Sequence, residues 1–124
     1  FEKYLYDDQY LKAGHNLLGF DVYMHGIYRR LLGKKPDYSY LNQLIDTLCL
    51  ARAINNDIAL SSSDNLLEWQ YKMISLRKAK GRNKLIDLCK QYDIRFNAKK
   101  LHDALYDIQK NYEVFKKLIW NIEI

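Results

Sequence analysis

The sequence predicts an α/β domain, and three observations carry that expectation. A short, mostly apolar run at residues 10–14 and the segment Leu44-Ile45-Asp46-Thr47 have the length and bounding residues of strands. Each leads into a segment whose apolar side chains recur at three- and four-residue spacing, the period of a helix with one buried face. The remaining helical stripes outnumber the strands, a surplus that suits an α/β sheet only if its first strands lie upstream of this chain.

Residues 1–5 read as the last turns of a helix already under way, so the chain is expected to begin inside its domain. Gly14 allows a sharp exit from the first strand into His15-Asn16. From Asp21, the apolar positions Val22, Met24, Ile27, Tyr28, Leu31 and Leu32 predict a helix, and Gly33 stops it. A loop around Pro36 precedes the second strand, and Thr47 is read as the N-cap of a helix through Cys49, Ala51 and Ala53. Ser61-Ser62-Ser63-Asp64 is a polar break whose last residues are expected to cap the helix carrying Leu66, Trp69, Tyr71, Met73 and Leu76. A basic stretch from Arg77 to Lys84 separates it from a short helix with Leu85, Leu88, Cys89 and Tyr92. The last helix shows Ala104, Leu105, Ile108, Tyr112, Phe115 and Ile119 at helical spacing.

At 124 residues the whole chain, 1–124, reads as a single domain large enough for a hydrophobic core. Its net charge of +5 favours an anionic partner, nucleic acid among them. No apolar run reaches membrane-spanning length and the N-terminus lacks a signal-peptide pattern, so a cytoplasmic protein without membrane contact is expected. Cys49 and Cys89 have no partner at metal-binding spacing and read as two buried thiols in a reducing compartment.

Chemistry concentrates in two strings. His102-Asp103-Ala104-Leu105-Tyr106-Asp107 sets a histidine ahead of a carboxylate at the mouth of the last helix. His15-Asn16-Leu17-Leu18-Gly19-Phe20-Asp21 ends the first strand and starts a helix with another aspartate. Mg²⁺ and Mn²⁺ prefer oxygen ligands, which Asp21 and Asp107 supply, and an imidazole titrating near neutral pH can deprotonate an attacking water. Two-ion phosphoryl chemistry, however, needs about four carboxylates. Capping and the helix dipole also favour aspartates at helix starts without any catalysis.

The same strings resemble motifs of the DEDDh family of 3′-to-5′ exonucleases, the proofreading-subunit and ribonuclease T-like enzymes. His15 to Asp21 is similar to the second motif, and His102-x-Ala104-x-x-Asp107 to the third. Ile45-Asp46-Thr47-Leu48 and Asn83-Lys84-Leu85-x-x-Leu88-Cys89 resemble segments lying between them. The resemblance implies a ribonuclease H-like exonuclease fold, of which this chain is the C-terminal portion with the first strands absent. It implies two Mg²⁺ or Mn²⁺ ions held in part by Asp21 and Asp107, His102 as general base, and His15 and Asn16 as structural or substrate-side neighbours of the second motif. The partners implied are single-stranded DNA or RNA 3′ ends, within a polymerase or nucleic-acid-processing complex. Two departures accompany it. The second motif has one more residue between Asn16 and Phe20 than in the proofreading subunits, and none of Glu2, Glu68, Glu113 and Glu123 has an aspartate two residues before it, so the first motif is missing. The chain as given is therefore expected not to cleave alone.

On the substrate side, Lys34, Lys35, Arg77, Lys78, Lys80, Arg82, Lys84, Lys99 and Lys100 fall in three loop-like regions, with Arg82 and Lys84 the preferred phosphate contacts. Tyr23, Tyr71 and Tyr106 are possible base-stacking platforms. Two rival readings belong to other classes: a non-catalytic nucleic-acid-binding or interaction module of the same fold, and a helical adaptor that meets a protein through its tyrosine-rich faces.

Overall fold

A computed structural model describes residues 2–77 and 83–122. The short helix α1 (Glu2–Leu5) is followed by strand β1 (Lys12–Gly14), a π-helical turn (Leu17–Asp21) and α2 (Val22–Leu31). A 3₁₀ turn (Leu41–Gln43) leads into β2 (Leu44–Asp46), which runs straight into α3 (Thr47–Asn55). Then come α4 (Leu66–Ile74), α5 (Leu85–Gln91) and the long α6 (Ala104–Asn121). The architecture is mixed helix and sheet. β1 and β2 pair in parallel, with Lys12 opposite Leu44, Ala13 opposite Ile45 and Gly14 opposite Asp46. Parallel neighbours need a crossover, and α2 lies in that connection.

β2 is buried along its whole length and lies within the segment 44–47 expected as a strand. Its outer edge is closed by a side chain: Gln70 on α4 accepts from the Asp46 N–H at 2.6 Å and donates to the Leu44 carbonyl at 3.0 Å. One amide thus satisfies the backbone that a third strand would otherwise meet. Among the described residues, β1 pairs with β2 alone.

The core gathers Leu50, Cys49, Leu88, Cys89, Val114 and Leu118, none of which retains exposed surface. α6 packs on α3 and α5 as well as on β1. Two helices turn out differently from the apolar stripes of the sequence. On α6 the buried positions are Val114 and Leu118, while Leu105, Ile108 and Tyr112 are each at least 60 % exposed. On α2 the buried positions are Val22, His25 and Gly26, whereas Met24, Ile27, Tyr28 and Leu31 face outward. In α2 the inward face is polar because it holds α1. The Glu2 carboxylate lies 2.9 Å from His25 Nε2 and accepts from Arg29 at 3.0 Å, and the Tyr6 and Tyr40 rings meet edge to face beside them.

Two caps fall one residue from their expected places. The N-cap of α3 is Asp46, whose carboxylate accepts from Leu48 N–H, and Thr47 is the first helical residue. The N-cap of α4 is Asn65, accepting from Glu68 N–H, while Asp64 bonds back to Ser61 and closes the preceding turn. In both places the residue with extended backbone just before the helix takes the role.

Candidate nucleic-acid interface

The C-terminal ends of the two strands set out the site, and one buried carboxylate organises them. Asp46, fully buried, takes the Asn16 N–H at 2.8 Å and the Leu48 N–H at 3.0 Å on Oδ1, and the Leu18 N–H at 3.0 Å on Oδ2. It caps α3 and the π turn after β1 together, tying the two strand-to-helix corners to each other. Burial raises its pKa above the ordinary carboxylate value, and the three N–H groups pull the other way. Asn16 adopts the left-handed region (φ 58°), which asparagine tolerates, and this turns the chain from β1 into the helix. A side chain at Gly19 would place its Cβ 2.3 Å from Asn16 Oδ1, so a larger residue there would have to displace the Asn16 side chain.

His15 follows directly on β1 and is half-buried, its Nδ1 2.9 Å from Thr47 Oγ1. Burial lowers its pKa, with Asp46 and the Asn83 backbone opposing that effect. Its neighbourhood is a cleft of about 650 Å³ lined by His15, Asn16, Arg52, Arg77, Lys84 and His102, with Leu48, Leu76, Asn83 and Leu85. Four of the seven residues expected from the sequence meet here: His15, Asn16, Lys84 and His102. Arg82 lies outside the described residues, as do Lys78 and Lys80. The described lining contains five basic or imidazole side chains and no carboxylate. An anion is the complementary ligand, and the leucines offer apolar surface for a base or sugar.

Arg52 was not legible as a site residue. Its guanidinium holds the C-terminal carbonyls of α4, donating to Ile74 at 2.7 Å and Met73 at 3.3 Å. Among the described residues its buried Nε meets no acceptor. The available signal was its spacing: Arg52 stands one helical turn after Leu48, which lines the same cleft.

The two expected metal ligands stand apart from this lining. Asp21 ends the π turn with an exposed side chain; partial burial and the charge of Asp46 raise its pKa. Asp107 is half-buried, and both its oxygens accept the backbone N–H of His102, at 3.0 and 3.1 Å. The five-residue spacing therefore closes a turn: Asp103 caps α6 through the Tyr106 N–H, and Asp107 reaches back past it. The bond leaves the His102 imidazole exposed, on a backbone at φ 78°. Among the described residues, no three histidine, cysteine, aspartate or glutamate side chains converge on one point that could hold an ion. Asp21 and Asp107 as they stand do not fit a two-ion centre.

Of the tyrosines, Tyr23 is 63 % exposed on α2. Tyr106 is engaged, its hydroxyl accepting the Asn97 N–H and its ring lying 5.4 Å from the Lys110 ammonium. Lys99 and Lys100 line a separate shallow cleft with Asp103 and Tyr106. No helix among the described residues is long and apolar enough to cross a membrane. Compared with known proteins, the chain matches no family model, no curated protein and no solved structure.

Proposed function

We propose that this chain is the C-terminal part of a 3′-to-5′ exonuclease domain of ribonuclease H-like fold, acting on single-stranded DNA or RNA 3′ ends. The observation that supports it best is the convergence of His15, Asn16, Lys84 and His102, from three distant stretches of sequence, on one cleft with Arg52 and Arg77 whose described lining holds no carboxylate. Such a lining binds the phosphates of a strand and leaves its sequence unread. His102, exposed at the rim, has the mobility of access a general base needs to take a proton from water. A divalent ion would need donors beyond Asp21 and Asp107. Among the described residues β1 pairs with β2 alone, and its other edge, beside His15, is where the reading puts an added strand bearing them.

The test begins with this chain. A fluorescein-labelled single-stranded 12-mer titrated by anisotropy is expected to bind with an affinity that falls as salt rises. Replacing Arg52, Arg77 or Lys84 by Gln should each lower the slope of log K against log salt by about 0.7, the value for one single-strand phosphate contact. Salt-independent or absent binding overturns the reading. In the polypeptide extended by the upstream strand, His102→Ala should abolish trimming and leave anisotropy nearly unchanged. A second reading, the non-catalytic binding module, takes its support from the absence of a converged ion site among the described residues. It predicts the same binding and no trimming by that extended polypeptide.

A further inference from the structure

Behind His15 stands a polar pair that the site so far leaves unused. Thr47 is fully buried at the start of α3, and its Oγ1 meets three groups: the Gly14 carbonyl at 3.1 Å, Asn111 Nδ2 at 2.9 Å and His15 Nδ1 at 2.9 Å. Asn111 comes from α6, 64 positions along the chain, so the contact joins β1, α3 and α6 at one oxygen.

A hydroxyl has one proton and two lone pairs. The Gly14 carbonyl can only accept, so the Thr47 proton goes to it. The Asn111 NH₂ can only donate and occupies one lone pair. The remaining lone pair faces His15 Nδ1, which satisfies it only by carrying a proton. Turning the Asn111 amide over would set two acceptors against one hydroxyl proton, so the three contacts fix that orientation as well. Asp46 is the charged group that bears on the ring, and the Asn83 backbone carbonyl, on the cleft wall, favours its protonated form.

We propose that Thr47 and Asn111 are positioning residues: together they hold the proton of His15 on Nδ1, fix the plane of its ring, and so present Nε2 to whatever occupies the basic cleft. This rests on the proposed nucleic-acid reading for the identity of the ligand only. The hydrogen bond on one ring nitrogen sets the state of the other, the usual means by which a neighbouring group selects a histidine tautomer.

The test is nitrogen-15 NMR of the imidazole rings in the unaltered chain, with the His15→Gln variant assigning the signals and His25 and His102 as internal references. Above its titration range, His15 is expected as the Nδ1–H form; finding Nε2–H overturns the proposal with no variant needed. Thr47→Val, which keeps the shape and removes the hydroxyl, should shift His15 toward the Nε2–H form that an unconstrained neutral histidine prefers, and Thr47→Ser should restore Nδ1–H. A folded Thr47→Val protein with an unchanged tautomer also overturns it. The labelled 12-mer separates this from the functional reading. Thr47→Val should weaken binding about fivefold, the worth of one neutral hydrogen bond, with no change in salt slope because no charge is lost. If the unaltered chain binds no 12-mer, the nucleic-acid reading fails while the tautomer result still decides the positioning role.

Discussion

Asp46 carries the most exposed prediction. Its carboxylate serves three backbone N–H groups at the two strand-to-helix corners. Asp46→Ala leaves all three without an acceptor. At about 1–3 kcal/mol for each orphaned donor, the loss is roughly 3–9 kcal/mol, against a total of about 5–15 kcal/mol for a domain of ordinary stability. That variant should fail to fold. Asp46→Asn is the informative one. With its amide oxygen in the Oδ1 position it keeps the bonds from Asn16 and Leu48, but its NH₂ then faces the Leu18 N–H, donor against donor. One charge-assisted bond worth about 1.5–3 kcal/mol is lost, and release from burying a charge offsets part of it. A net loss of about 2 kcal/mol at pH 7 is expected, moving the urea midpoint down by about 1 M at an m-value of roughly 2 kcal/mol/M. The pH dependence gives a sign as well. The folded pKa of Asp46 is raised, so the folded state binds its proton more readily than the unfolded state does. Its contribution to stability is full below the unfolded value near 3.8 and declines as pH rises through the folded one. The gap between the native chain and Asp46→Asn should thus widen on going from pH 7 toward pH 4. Equal midpoints at both pH values would show that the carboxylate does not hold the two corners.

Three further expectations follow from other sites. His102 sits at φ 78°, a conformation that costs a residue with a side chain, so His102→Gly should be more stable than His102→Ala by about 0.5–1 kcal/mol in chemical unfolding, and the reverse order would remove the strain. The Glu2 pKa is lowered by His25 and then by Arg29, so the hold of α1 on α2 is present above the ordinary value of 4.5 and fades as pH falls through the depressed one. Tyr6 ring signals in NMR should shift with that transition, and Glu2→Gln should show the acid-form shifts already at pH 7. Burial raises the thiol pKa of both Cys49 and Cys89, so neither should react with a thiol reagent until the chain unfolds; fast labelling of either in native buffer would contradict its burial.

The strands and most helices were legible because their signals are local. β2 falls within the expected segment 44–47, where Leu44 and Ile45 lead into Asp46, and β1 falls within the expected segment 10–14. What the sequence concealed is direction. Leu105, Ile108 and Tyr112 have helical spacing, yet the core takes the neighbouring face through Val114 and Leu118, because α6 meets α3 and α5 on that side. Periodicity finds a stripe, and tertiary packing decides which stripe is buried. The candidate site shows the same division. The convergence of His15, Lys84 and His102 was approached through spacing and resemblance. The partners that make the site work were not, since Arg52 reaches the end of α4, and Asn111 reaches Thr47 across 64 positions. Spacing was also misleading for His102 and Asp107, where a carboxylate five residues on serves the backbone N–H and not the imidazole.

The turn at Leu17–Asp21 bears on how this chain is to be aligned with others. A π turn holds one residue more than an α turn in nearly the same rise. On the proposed exonuclease reading, the extra residue between Asn16 and Phe20 is thereby taken up within the first turn, and Val22 opens a regular helix directly after it. Insertions are usually sought in loops; on that reading this one sits inside a helix, beside a glycine packed against the Asn16 side chain.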